Sequence, residues 1–218
     1  VDYDEFRKLL QSGDVAGVRR ALVAEPARAN QTIRWYLSQW NESDPLHFVS
    51  DCIGNGWITN RRDGEIAALL LQHGAAIDGS PGRESPLIGA ASLGAERVAK
   101  ILNGAGADPE RTGLFGARAL HWAAWTGEAG IVAQLLARKV ELEPRCSEFG
   151  ATPLFWAVHG YSPQGPAEKK NQVGAARLLI EAGAVIETSN KQGVTARALA
   201  RQGTDPRMGE LFERAAAP

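Results

Sequence analysis

The feature that most constrains this chain is a spacing. A short phrase, Pro-Leu or a close substitute, recurs at Pro45-Leu46, Pro86-Leu87, Ala119-Leu120 and Pro153-Leu154, with a weaker copy at Thr195-Ala196. A second phrase recurs at His73-Gly74-Ala75, Ala105-Gly106-Ala107, Arg138-Lys139-Val140 and Ala182-Gly183-Ala184. From Pro86 to Gly106 is 20 residues, as from Ala119 to Lys139, and from Gly106 to Ala119 is 13, as from Gly183 to Ala196. Self-similarity at a 33-residue period means stacked copies of one small unit, none able to bury its apolar face alone. Proline suits the first turn of a helix, where its missing N–H has no partner to lose. Ser85 and Thr152 stand in front as N-caps. Glycine after the second helix takes the left-handed conformation without a Cβ penalty. Apolar runs such as Ile66–Leu71 and Val98–Leu102 supply the faces between, and the small pairs Ala90-Ala91 and Ala123-Ala124 permit close helix stacking.

Asp44-Pro45-Leu46-His47, Ala119-Leu120-His121-Trp122-Ala123-Ala124 and Thr152-Pro153-Leu154 resemble the first-helix phrase of ankyrin repeats. The resemblance implies an all-α solenoid of helix-turn-helix units joined by hairpin-like loops. The expected organisation is a single ankyrin-repeat domain over 1–218, with an N-cap at 1–30 and a C-cap at 190–218 whose last helix opens at Asp205-Pro206. Four repeats lie between them, at 40–79, 80–112, 113–146 and 147–189. Lys139 departs from the pattern, because a residue with a Cβ stands where glycine is expected.

Two repeats are too long. Pro45 to Gly74 is 29 residues and Pro153 to Gly183 is 30, against the unit length of 20. The excess reads as two loops, 51–63 and 160–171, both rich in Gly, Pro and Asn. A further long segment, Pro26 to Glu42, carries Trp35, Tyr36 and Trp40.

By the same resemblance, a ligand face is lined by hairpin tips and by the ends of first helices. Those positions are Trp40, Phe115 and Phe149, with Glu148 beside the last, and Asp51, Ser92, Trp125 and His159. Tyr161 opens the second long loop. Of the six tryptophans, Trp122 and Trp156 replace the usual leucine and read as core, while Trp40 and Trp125 fall on the open face. His47 and His121 occupy the histidine of the phrase, whose expected role is a structural hydrogen bond between repeats. His73 precedes a closing glycine, where a cation suits the helix C-terminus.

The chemistry is sparse. Lys+Arg number 24 against Asp+Glu 25, which lacks the basic excess that nucleic-acid phosphates demand. No apolar run reaches membrane-spanning length, the acidic opening residues do not form a secretory n-region, and no metal or cofactor motif is present. Cys52 and Cys146 are expected as free thiols in a reducing, cytoplasmic setting. One acid–base set is conceivable: His159 oriented by Glu148, assisted by Lys169 or Lys170, and walled by Trp125 and Phe149. The leading expectation is a binding module that recognises a protein segment in a concave, aromatic-rich groove, without cofactor, nucleic acid or membrane. The alternative is a small-molecule-binding protein or enzyme, its pocket walled by loops 51–63 and 160–171 and His159 acting as acid/base.

Overall fold

A computed structural model describes residues 3–162, 165–166, 171–203 and 206–216. Lys169 and Lys170, the rest of 167–170, residues 163–164 and the expected cap Asp205 lie outside the described residues. The chain is helical, with two compact units, Val1–Asp108 and Pro109–Pro218.

The first unit holds three helix pairs: α1 (Tyr3–Ser12) with α2 (Val15–Ala24), α3 (Pro45–Gly54) with α4 (Asp63–Gln72), and α5 (Pro86–Leu93) with α6 (Glu96–Ala105). First helices stack on first helices and second on second, α1 on α3 on α5 and α2 on α4 on α6. The caps are those the sequence announces. Ser85 Oγ accepts from the Ile88 amide at 3.2 Å, and Pro45 and Pro86 begin their helices. Asp44 departs from this role: its carboxylate accepts from the Ser80 amide at 2.6 Å and the Ser80 hydroxyl at 3.0 Å, tying α3 to the turn before α5 instead of capping its own helix.

One expectation for this unit needs correcting. Residues 51–54 are not loop, because α3 continues to Gly54 and the irregular stretch starts at Asn55. The long segment before α3 has regular structure of its own. After a 3-10 turn at Pro26–Asn30, strands β1 (Ile33–Tyr36) and β2 (Trp40–Ser43) form an antiparallel hairpin in the register Ile33 with Ser43 and Tyr36 with Trp40. Along β1 burial alternates, with Ile33 and Trp35 inside and Arg34 and Tyr36 outside, the period-2 signature of a half-buried strand. Trp35 packs on Phe48 with ring centres 4.8 Å apart, which anchors the hairpin to α3.

The second unit repeats the scheme with α7 (Ala119–Thr126), α8 (Ala129–Ala137), α9 (Pro153–Tyr161), α10 (Gln172–Glu181), α11 (Ala196–Gln202) and α12 (Pro206–Ala215). Here α7, α9 and α11 form one layer and α8, α10 and α12 the other. Thr152 Oγ1 accepts from the Phe155 amide at 3.4 Å, and Thr195 Oγ1 from the Ala198 amide at 3.1 Å. Lys139 sits at φ 56°, so the left-handed turn is made there by a residue that pays a steric cost for it. The close approach of α7 and α9 depends on Gly160, where a Cβ would collide with the Trp125 carbonyl.

Candidate functional site

Within the second unit, α7, α9 and three connecting tips line a partly open cavity of about 370 Å³. Helix α7 contributes Trp122 and Trp125, one turn apart, and α9 contributes Phe155, Trp156 and His159. Phe115, Phe149, Asn190 and Gln192 come from the tips. Trp122 stands nearly perpendicular to both Trp125 and Trp156, with ring centres 5.8 Å and 5.2 Å away. Phe115 bridges to Phe149 at 5.6 Å and to Trp122 at 6.2 Å. His159 lies parallel to Phe155 at 6.5 Å. Such offset and edge-on arrangements suit the quadrupoles of aromatic rings.

The tips are laced together by main-chain groups. The Phe115 carbonyl accepts from Ser147 Oγ at 3.1 Å and from the Glu148 amide at 3.3 Å. The Phe149 carbonyl accepts from the Lys191 amide at 3.0 Å, and Lys191 Nζ donates to the Ser147 carbonyl at 2.5 Å. Asn190 Oδ1 accepts from the amides of Gln192 and Val194, each at 3.0 Å, closing the third tip. Phe115 itself adopts φ 63°. That conformation is costly for a bulky residue and persists only where its surroundings over-determine it.

His121 supports this wall from behind. It is completely buried. Its Nδ1 accepts from the Arg118 amide at 3.1 Å, and its Nε2–H lies between the carbonyls of Pro144 at 3.1 Å and Ala151 at 3.2 Å. The ring also meets Trp156 edge-on at 5.4 Å. Burial, the largest influence, outweighs the two carbonyls, with a smaller push from the Arg118 charge, and takes the imidazole pKa down to about 4. The neutral ring therefore clamps the tip that carries Phe149 to the first turn of α7.

Residues 87–190 match the family model for ankyrin repeats, in three copies. This stretch of the chain belongs to the ankyrin-repeat family. Ankyrin repeats are generally protein–protein interaction modules. No curated protein matches the chain.

The ankyrin phrase fixed His121 as structural, and its two carbonyl contacts show that role. His47, at the same place in the first unit, does something else. Its nitrogens meet no backbone carbonyl and face carboxylates. Nδ1 lies 3.3 Å from Asp51 Oδ2, and Nε2 lies 3.9 Å from Glu84. Gly89 leaves room for the ring, since a Cβ there would overlap it. Burial disfavours the charged imidazole, but Asp51, Glu84 and Asp44 together outweigh it and raise the pKa. Asp51 is committed to this cluster, accepting also from Ser43 Oγ at 3.1 Å.

Of the expected site residues, Phe115, Trp125, Phe149 and His159 come together around the ankyrin-repeat cavity. Trp40 lies in the first unit, 72% exposed and packed edge-on against Tyr36 at 5.7 Å. Glu148 is exposed and does not line the cavity. Tyr161 turns to Arg207, which donates to its hydroxyl at 2.8 Å. Lys170 lies outside the described residues. Sequence reasoning missed Trp122, Phe155 and Trp156 as walls. An indole at a leucine position is the available signal, and it reads first as core. In fact Trp156 is both, being 7% exposed and still lining the cavity.

Among the described residues no group of acidic, histidine and cysteine side chains is arranged to hold a metal ion. No described helix is long and apolar enough to cross a membrane.

Proposed function

We propose that this protein is a binding module that recognises a protein segment, and that the segment inserts one side chain into the aromatic cavity of the second unit. The observation that carries this reading is the cavity itself: six phenylalanine and tryptophan rings wall a space of about 370 Å³. Phe149, on its wall, is 38% exposed, and Leu114, next to Phe115, is 60% exposed. Apolar surface beside a hollow suits residues that flank an inserted anchor. The general role of ankyrin repeats supports the same reading. An acid–base role for His159 gains no such support, because Glu148 does not line the cavity.

Selection of a displayed random-peptide library on the full chain tests the proposal. Peptides enriched on the wild type should bind Trp125→Ala at least tenfold more weakly, since truncating a central aromatic contact costs about 2 kcal/mol. Circular dichroism should show the variant folded. Enrichment of the same peptides with undiminished affinity on Trp125→Ala would place recognition elsewhere.

A further inference from the structure

Two histidines stand at one position of the repeat phrase and are built for opposite charges. His121 takes a proton from the Arg118 amide on one nitrogen and gives one to carbonyls on the other, which suits a neutral ring. His47 has Asp51 Oδ2 at 3.3 Å from Nδ1 and Glu84 Oε2 at 3.9 Å from Nε2. An ionised carboxylate only accepts, and an imidazole donates from both nitrogens only when it is charged. The surroundings of His47 therefore select the imidazolium.

The ring is also a junction within the first unit. Its own helix α3 supplies Asp51, and the turn before α5 supplies Glu84. It rests on α5 at Gly89, where a Cβ would overlap it. Asp51 Oδ2 accepts in addition from Ser43 Oγ at 3.1 Å, at the end of β2. One imidazole thus links the hairpin, α3 and the turn into α5.

The charges that act on the ring are three carboxylates, Asp51, Glu84 and Asp44. Arg83 lies 3.2 Å from Glu42 and 3.6 Å from Asp44, so it balances the outer side of the cluster. Helix α5 has no charged residue. Among the other elements packed on α3, Arg7 of α1 bonds to Asp4 and Gln11, Arg28 of the 3-10 turn pairs with Glu25, and Asp63 of α4 pairs with Arg97. Removing the proton from His47 leaves three carboxylates around a largely buried junction, where like charges repel more strongly than in water.

We infer that His47 is a proton-operated latch: charged, it holds the turn before α5 and the foot of the hairpin against α3, and neutral, it lets both open locally while the helices stay stacked. Burial opposes the charge, but the three carboxylates outweigh it and raise the folded pKa above 6.5. The latch is therefore fully closed below 6.5 and opens as the pH rises through the folded value. Its reach includes the hairpin tip, where Tyr36, Leu37 and Trp40 are exposed.

Hydrogen exchange of the full chain from about pH 5.5 to pH 8.5, corrected for the intrinsic pH dependence of exchange, tests the latch. Local opening lowers protection only in the segment that opens. Protection over residues 79–89 and 33–43 should fall at least tenfold across the titration of His47, followed by its own ring resonances, while residues 66–71 of α4 keep theirs. His47→Gln should show the weaker protection at every pH. Asp51→Asn, which keeps the ring and removes its nearest carboxylate, should lower the pKa of His47 and flatten the same dependence. Protection that ignores pH in the wild type would overturn the inference, and so would a dependence that survives in His47→Gln. An equal fall in α4 would also overturn it, because the whole unit would then be opening.

Discussion

The imidazole of His121 is neutral because protonation would place a second N–H against the Arg118 amide inside a fully buried site. Its pKa falls from 6.5 to about 4. Below pH 6.5 the unfolded chain binds a proton that the folded chain refuses, so this group's stabilisation is complete above 6.5 and is lost as the pH falls through 4. The loss amounts to about 3 kcal/mol. Denaturant unfolding at pH 7 and pH 4 should show wild type losing that much more than His121→Gln, which cannot titrate. His47 has the opposite sign. Its pKa is raised, so its contribution is complete below 6.5 and disappears as the pH rises through the folded value. A histidine NMR titration should find His47 ionising above 6.5 and His121 near 4. A third residue is tested by relief of strain. Phe115→Gly removes a left-handed phenylalanine worth about 1–3 kcal/mol of strain, offsetting the lost ring contacts. Its stability should stay within about 1 kcal/mol of wild type, while cavity binding falls at least tenfold.

At the scale of elements, the site depends on how closely α7 and α9 approach. Trp125 and His159 hold equivalent positions on these neighbouring first helices, and both line the cavity. The approach is set by Gly160, beside the Trp125 carbonyl. Gly160→Ala forces the helices apart or strains them, and overpacking of this kind costs about 1–3 kcal/mol. Thermal unfolding should show that loss, and the indole N–H resonances of Trp122 and Trp125 should shift even where the variant remains folded. Unchanged resonances would mean that the helix spacing does not set the walls. The tips form a second element-level constraint. The side chains of Ser147, Lys191 and Asn190 take part in their lacing, so substitutions at those three should loosen the frame, while substitutions at Phe115 and Phe149, which bond through main-chain groups, should alter the lining more than the frame.

At the scale of the whole molecule, each compact unit contains one buried, free thiol, Cys52 in the first and Cys146 in the second. Burial, with Asp51 beside it, pushes the Cys52 thiol well above its ordinary value, which makes it inert until its unit opens. Cys146 lies in the tip clamped by His121, where its amide donates to the Ala151 carbonyl at 3.1 Å. Thiol labelling in single-cysteine variants therefore reports on the two units separately. His121→Ala should accelerate labelling of Cys146 at least tenfold and change Cys52 far less. Equal acceleration at both thiols would show that the units open together.

The sequence by itself determined the repeat and its helical character. A 33-residue period, proline at helix starts and glycine at helix ends are local signals, each satisfied by backbone geometry within a few residues. It also singled out His121, because the family resemblance implies a structural hydrogen bond between repeats for that histidine, although the Pro144 and Ala151 carbonyls it meets come from a later tip. The same resemblance misread His47, since its partners Asp51 and Glu84 are set by which carboxylates the stack brings near. Likewise the hairpin at 33–43 was invisible as a sheet, its four-residue strands being too short for their alternation to stand out. The cavity was only half legible. Phe115, Trp125, Phe149 and His159 follow from equivalent positions in successive repeats, whereas Trp122, Phe155 and Trp156 became walls only through the angle at which α7 and α9 pack. Whether an indole fills a core or borders a hollow depends on the ring opposite it, and only the tertiary structure supplies that neighbour.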